Sequence, residues 1–393
     1  MKQQRNLSVL LVALACTMAA LFTALFLCYL PFNRALVARR DFIVYWATGQ
    51  QLVRHGNPYD PPALQKIEDD AGYADGGSFF MRNIPWALPL AYPLGFLNPQ
   101  IAALPWSLAM LGLLFLSIRI LLKMIPDPGG TVAWLGYCFP PALFCVILGQ
   151  TSIILLLGLV LFLRWHRTRP LPAGAALWLC TLKPHLFLPF GLIVLVWIVV
   201  SRSYRILVGG VLAATVGTVL TTAVDPRAWS QYAYYVRTSV MTREFTPNFG
   251  DLLRDRINPS AEWIAFVPAM IGGVWALAYF WPRRHTWDWL ENGSPLLLVS
   301  LLVAPFGWIF DQSVAVPAVM LGASKTASKA MLALIAVIYI AIEIQINRSN
   351  LHSAAYLWVA PAWLIWYVCA RAVRAGVESP QGAEEQALEG PKM

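Results

Sequence analysis

Twelve apolar runs divide the chain, near residues 7–30, 99–122, 131–147, 151–163, 171–184, 186–200, 206–223, 262–281, 294–309, 312–323, 329–347 and 353–370. A helix that crosses a bilayer needs roughly 20 mainly apolar residues. Inside hydrocarbon its backbone must satisfy its own polar groups. The runs therefore predict an all-α polytopic membrane protein with about twelve transmembrane helices. Composition agrees, with 58% of the 393 residues apolar, 12% charged and a mean hydropathy of +0.60. A soluble domain carries about a quarter charged residues. A soluble globule, a disordered chain, a collagen-like repeat and a disulfide-rich scaffold are excluded. All six cysteines lie inside the runs, where Cys behaves as a small hydrophobe, so neither disulfide nor metal site is expected. The run after Lys2 and Arg5 is too long for a signal-peptide core and reads as the first span.

The stretch 79–98 is also apolar, but it holds Pro85, Pro89 and Pro93, with Pro99 next. Such a stretch suits a re-entrant or interfacial segment better than a span. Basic residues in short loops set orientation. With a cytoplasmic N-terminus, every inner loop is basic, from Arg119/Lys123 to Arg371/Arg374. The inner face then carries 16 basic and 7 acidic residues, the outer face 13 and 12. The net charge of +9 is thus a topology signal, not a footprint for nucleic acid. Both termini are expected in the cytoplasm of a bacterial inner membrane. Residues 1–374 read as one transmembrane domain and 375–393 as a disordered cytoplasmic tail. The long outer loops, about 31–98 and 224–261, hold most of the polar chemistry.

In the first outer loop, Asp41 can start a helix whose apolar stripe is Phe42, Tyr45, Trp46, Gly49 and Leu52/Val53. Gly56 fits its C-terminal stop, and Pro58 follows. This predicts a short amphipathic helix on the outer membrane surface. Spacing alone leaves Asp41 either as the N-cap of that helix or as a functional carboxylate.

Asp41-Phe42-x-x-Tyr45-Trp46-Ala47, followed by Gly56-Asn57-Pro58-Tyr59-Asp60, resembles glycosyltransferase family 87. Further matches come in order: the Pro-rich segment 85–99, Leu148-Gly149-Gln150-Thr151, Leu182-Lys183-Pro184 and Ala304-Pro305-Phe306-Gly307-Trp308. The resemblance covers about residues 35–320. It implies a GT-C-like enzyme using polyprenyl-phosphate sugars, like mycobacterial α-mannosyltransferases. One departure stands out. Many members carry a Trp-x-His-His-like stretch after the late Pro, whereas Trp308 here precedes Ile309, Phe310, Asp311 and Gln312.

The resemblance implies that Asp41 is the catalytic base. The acceptor hydroxyl would attack the anomeric carbon in line, with inversion, and Asp41 would take its proton. The departing lipid phosphate needs no general acid, so no glycosidase-like carboxylate pair is required. Its charge calls for cationic donors. Lys183 leads the candidates, because it sits at the outer end of a span against the basic-inside bias; snorkelling is its bland alternative. His185, Arg82 and Arg40 join it, with Arg39 and Arg40 equally suited to lipid headgroups.

Gln150, Asp311, Gln312, Tyr45 and Asp60 are the candidates for sugar or acceptor binding. Gln150 serves equally as interhelical glue, and Asp311 either positions the acceptor or pairs with Lys183. Asp60 and the run Glu68-Asp69-Asp70 also suit a solvated loop. The second outer loop is expected to hold a surface helix and a mobile flap. No P-loop, Rossmann glycine pattern, D-x-D or metal-spaced His/Cys cluster occurs. No metal or cofactor is therefore expected; the partners are membrane lipids, the polyprenyl-phosphate sugar and a glycan or glycolipid acceptor. A polyisoprenoid-lipid flippase, a lipid-linked glycan ligase and a membrane scaffold are the rival readings.

Overall fold

The computed structural model describes residues 2–73, 80–126, 128–238, 245–326 and 328–377. Every regular element among them is helical. Six helical stretches are long and apolar enough to cross a membrane: Val12–Tyr29, Pro99–Leu122, Gly129–Leu148, Tyr204–Val224, Glu262–Arg283 and Lys329–Arg348. A seventh candidate is the pair Pro170–Leu182 and Pro184–Val200, bent by 119° at Lys183. Length alone thus does not reach the expected twelve, although each run keeps a helix. Ser152–Trp165 and Gly293–Leu302 have 14 and 10 residues, about 21 and 15 Å at 1.5 Å per residue. Ser152–Trp165 is apolar because protein surrounds it: Ile153, Leu155, Leu156, Leu159, Val160 and Phe162 are all buried.

Helices at the rim show the opposite pattern. Val12, Cys16, Ala19, Thr23 and Leu27 form a buried stripe at helical spacing, while Leu14, Met18, Leu21 and Leu25 face outward. Tyr204–Val224 buries only Ile206, Gly209, Gly217 and Thr221. Its Gly209 lies so close to the Pro170–Trp178 helix that an added Cβ would stand 1.9 Å from the Leu171 carbonyl oxygen. Small residues permit this backbone approach between apolar helices.

The first long loop packs against the end of the Tyr204–Val224 helix and the start of the second loop. Thr221 Oγ1 donates to the Pro85 carbonyl at 3.1 Å, Trp86 Nε1 to Thr218 Oγ1 at 3.0 Å, and Arg227 Nη2 to the His55 carbonyl at 3.1 Å. The proline-rich stretch forms the short turns Pro85–Ala87, Leu88–Ala91 and Tyr92–Phe96, as its prolines require, and no span.

The helix Phe42–Val53 corrects one expectation. It does not lie on a surface with one face in water; Phe42 to Gly49 and Leu52 are buried. The turns at 85–97 cover its polar side. Gln50 Nε2 donates to the Gly95 carbonyl at 2.7 Å and Trp46 Nε1 to the Leu97 carbonyl at 2.8 Å. An added Cβ on Gly49 would stand 2.3 Å from the Ala91 carbonyl oxygen, so the two backbones touch. His55, not Gly56, takes the left-handed conformation after this helix, at φ +56°.

Away from these loops, Glu291 joins Lys325 and Arg371, the latter at 2.8 Å. The last helix, Val359–Val377, extends into the expected tail; residues 378–393 lie outside the described residues, as do 239–244 of the expected flap. The described part of that loop is firmly capped. Asn248 Oδ1 accepts from Asp251 N at 2.9 Å, and Asp251 Oδ2 accepts from Thr246 N and Oγ1 at 2.7 Å.

Candidate active site

Three backbone features bring distant polar residues together. Asp41 stands at the start of the Phe42–Val53 helix, but its carboxylate makes no capping bond there. Gly149 ends the Pro140–Leu148 helix in the left-handed conformation, at φ +75°, where glycine has no Cβ penalty. The same glycine permits contact, since a Cβ there would stand 2.7 Å from Phe42 Cβ. This lays Gln150 beside Asp41. Lys183 precedes Pro184 and leaves the helical region, at φ −140° and ψ 70°, as the pre-proline position favours. The helix breaks there and Lys183 turns inward.

The side chains then join in a chain of bonds. Gln150 Nε2 donates to Asp41 Oδ2 at 2.7 Å. Lys183 Nζ donates to Gln150 Oε1 at 3.1 Å, to Ser152 Oγ at 3.1 Å and to Asp311 Oδ1 at 2.7 Å. Ser152 Oγ donates to the same Asp311 oxygen at 2.6 Å, and Trp308 N to Asp311 Oδ2 at 3.1 Å. Lys183 also lies 4.8 Å from the centre of the Phe310 ring. Tyr45 stacks on Trp106 at 5.4 Å. Its hydroxyl is within reach of Gln150 Oε1 (3.2 Å), Asn83 Oδ1 and Thr151 Oγ1 (both 3.4 Å).

Burial raises the proton affinity of the Asp41 carboxyl; the Gln150 bond and Lys183 pull the other way. Asp41 Oδ1 accepts no hydrogen bond from the described residues, yet it is not sealed off. Burial also pushes the Asp311 carboxyl up, but Lys183, through charge and hydrogen bond, and Ser152 outweigh it and hold it below its ordinary value. Asp311 is thus an ionised partner of Lys183, whereas burial leaves the Asp41 carboxyl raised above its ordinary value.

The expected phosphate donors are dispersed. All three N–H donors of Lys183 are occupied, and of the two roles expected of Asp311 the structure displays its pairing with Lys183. Arg40 is buried and turned away: Nε donates to the Ile147 carbonyl, and Nη2 to Ser107 Oγ at 2.8 Å and the Val146 carbonyl at 3.1 Å. It closes the end of the Pro140–Leu148 helix, whose last carbonyls need donors, and burial lowers its pKa to about 9. His185 packs edge-on against Phe306 at 6.1 Å, with Nε2 buried and unpartnered. Arg82 lies 5.8 Å from the Trp308 ring centre, next in sequence to Asn83. Gln312 and Asp311 border a cavity of about 20 Å³, also lined by Asn248 and Gly307, room for about one water. Asp60 precedes the Pro61–Asp70 helix without capping it through its side chain. Among the described residues no cluster of three metal-ligating side chains occurs.

Sequence reasoning missed Ser152, Asn83 and Trp106. Ser152 had a faint signal in its place two residues after Gln150, and Trp106 stood out only as one of the tryptophans near the expected outer face; Asn83 had none. Tyr59 Oη, which donates to the Asn83 carbonyl at 3.1 Å, appeared only as part of a motif. The ring of His352 stands edge-on to Trp308 at 6.3 Å.

The sequence model of glycosyltransferase family 87 matches residues 83–305, more than half of the chain. The chain belongs to this family. It is therefore a glycosyltransferase, and its apolar helices make it a membrane protein. Gln150 and Lys183 lie inside the matched range, while Asp41 and Asp311 flank it. No curated protein and no solved structure matches the chain.

Proposed function

We propose that this family 87 glycosyltransferase moves a hexose, with mannose the favoured sugar, from a polyprenyl phosphate to a glycan or glycolipid acceptor, and that Asp41 is its general base. One observation carries the reading. A buried carboxylate at a helix start caps nothing, is held through Oδ2 by Gln150 and is open at Oδ1.

In the reaction so written, the acceptor hydroxyl oxygen bonds to the anomeric carbon from the side opposite the phosphate. Its proton passes to Asp41 Oδ1. The bond from the anomeric carbon to the phosphate oxygen breaks, and the phosphate leaves with the electron pair. Configuration inverts. Arg82, beside the network, is the cation we assign to the phosphate. No metal or cofactor enters these steps. The setting is a GT-C-like arrangement of about twelve crossings in a bacterial plasma membrane, with the long loops on the periplasmic side and both termini in the cytoplasm.

The test is transfer in vitro from radiolabelled polyprenyl-phosphate hexoses. Asp41→Asn should lower turnover by about 10²- to 10⁴-fold, the range of general-base catalysis, with the protein still folded. Near-normal turnover by Asp41→Asn would refute the base. Transfer only from a lipid diphosphate glycan would refute the donor class.

A further inference from the structure

We propose that Gln150 is the positioning residue of the base, held in one orientation by the Lys183–Asp311 pair, and that Lys183 anchors this relay instead of binding the donor phosphate. The inference rests on the reading of Asp41 as base.

The chemistry of the partners dictates the orientation of the amide. An ammonium can only donate and an ionised carboxylate can only accept. Lys183 Nζ meets one end of Gln150 at 3.1 Å and Asp41 Oδ2 meets the other at 2.7 Å. Turning the amide over would set N–H against ammonium and oxygen against carboxylate. The oxygen must therefore face Lys183 and the N–H₂ must face Asp41. Lys183 is held in turn by Asp311 and Ser152. Three of the family-like sequence motifs thus converge on a single task. Leu148-Gly149-Gln150 supplies the amide, Leu182-Lys183-Pro184 the ammonium, and the segment after Pro305 the carboxylate that neutralises it.

The arrangement selects which oxygen of Asp41 reacts. Oδ2 is committed to Gln150, so only Oδ1 is free to take a proton. The amide also stabilises the ionised form, against burial. The other charged and titratable groups that act on Asp41 are Arg40 beside it, Lys183 from the bend and Asp311 from the turn at 309–315; Tyr45 lies one turn along its own helix.

The experiment measures kcat and donor KM from pH 5 to 9 on the full-length protein in lipid. It compares wild type, Gln150→Leu, Gln150→Glu and Asp41→Asn. Gln150→Leu should lower kcat about 10- to 100-fold at pH 7, the scale of a misplaced catalytic group. Donor KM should stay within about threefold of wild type. The acid limb of the kcat profile should move up by about one pH unit, because the carboxylate loses its donor. Gln150→Glu keeps an acceptor for Lys183 but sets a second carboxylate by Asp41. Its limb should move further up, with activity regained towards pH 9. Should Gln150→Leu fail to fold, Gln150→Glu carries the test.

An unmoved acid limb overturns the proposal. So does a tenfold rise in KM at unchanged kcat, which would make Gln150 a substrate contact. If Asp41→Asn loses activity and the limb does not move, the base stands and only the relay fails. If Asp41→Asn stays active, both fail.

Discussion

Removing the Asp311 carboxylate is the sharpest test of the packing behind the site. Asp311 and Lys183 are 1% and 8% exposed, and Nζ and Oδ1 are 2.7 Å apart. Asp311→Ala leaves an ammonium buried with two neutral acceptors, Gln150 and Ser152, and no counter-charge. Breaking a buried pair from one side costs about 3–5 kcal/mol. With an unfolding entropy of roughly 2.1 cal/mol/K per residue, a chain of this length would lose roughly 4–6 °C in thermal midpoint. The assay is thermal unfolding of detergent-purified protein, with lipid held constant. Asp311→Asn should fall between, because its single amide oxygen can still accept from Lys183 and Ser152 but carries no charge and gives up the bond from Trp308 N. The double variant Lys183→Met/Asp311→Leu should recover most of the loss, because it leaves no orphan charge. The sign of the pH dependence follows from the lowered carboxyl. The Asp311 contribution is fully present above the ordinary carboxylate range and is lost as pH falls through the lower folded value. The deficit of Asp311→Ala should therefore be flat from pH 6 to 8. A single variant within about 1 kcal/mol of wild type, or a double variant no better than the single, would refute a tightly coupled buried pair.

Two further substitutions probe what brings Gln150 and Asp41 together. Gly149→Ala adds a Cβ at φ +75° and 2.7 Å from Phe42 Cβ; it should cost about 2–4 kcal/mol from backbone strain and overpacking, and thermal midpoint and turnover should fall together. Arg40→Lys keeps the charge but cannot span Ile147, Val146 and Ser107; unfolding measurements should show a loss of about 2–3 kcal/mol with donor KM unchanged, whereas a selective rise in donor KM would make Arg40 a phosphate contact.

Gln150, Lys183 and Asp311 could each be singled out in the sequence as polar groups at the end of an apolar run, and Asp41 as the residue that starts a helix in the first outer loop and opens the family-like motif. Their pairing could not. Gln150 lies 109 residues from Asp41, and Asp311 lies 128 from Lys183; such contacts depend on how helices stack, which periodicity does not encode. Arg40 shows the same limit from the other side. Its charge in an outer loop suggested phosphate, but the carbonyls that claim it belong to a helix about a hundred residues away. The helix Phe42–Val53 was legible as a helix from its stripe and its stop. Its burial was not, because the cover is a separate proline-rich segment that meets it through Gly49 and Gly95. The span count has a similar cause. Apolarity reports removal from water, and a helix such as Ser152–Trp165 is removed from water by protein on nearly every side.

The charges at the site explain why an apolar molecule tolerates them and what a proton would do there. Lys183 pairs with Asp311 inside the network, and Arg40, bonded to carbonyls behind it, acts on Asp41 through its charge alone; with Asp41 ionised, these four groups sum to zero. A proton taken up by Asp41 in the proposed reaction leaves these four groups at +1. That change coincides with charge gathering on the departing phosphate, and in a site shielded from water it is felt strongly. A cation need not touch the phosphate to help it leave; the base itself switches the field when it accepts the proton. Lys183 locked to Asp311 is then no obstacle to catalysis. In the proposed reaction its fixed charge, balanced at rest and unbalanced once Asp41 is neutral, adds at longer range to that of Arg82 at the leaving phosphate.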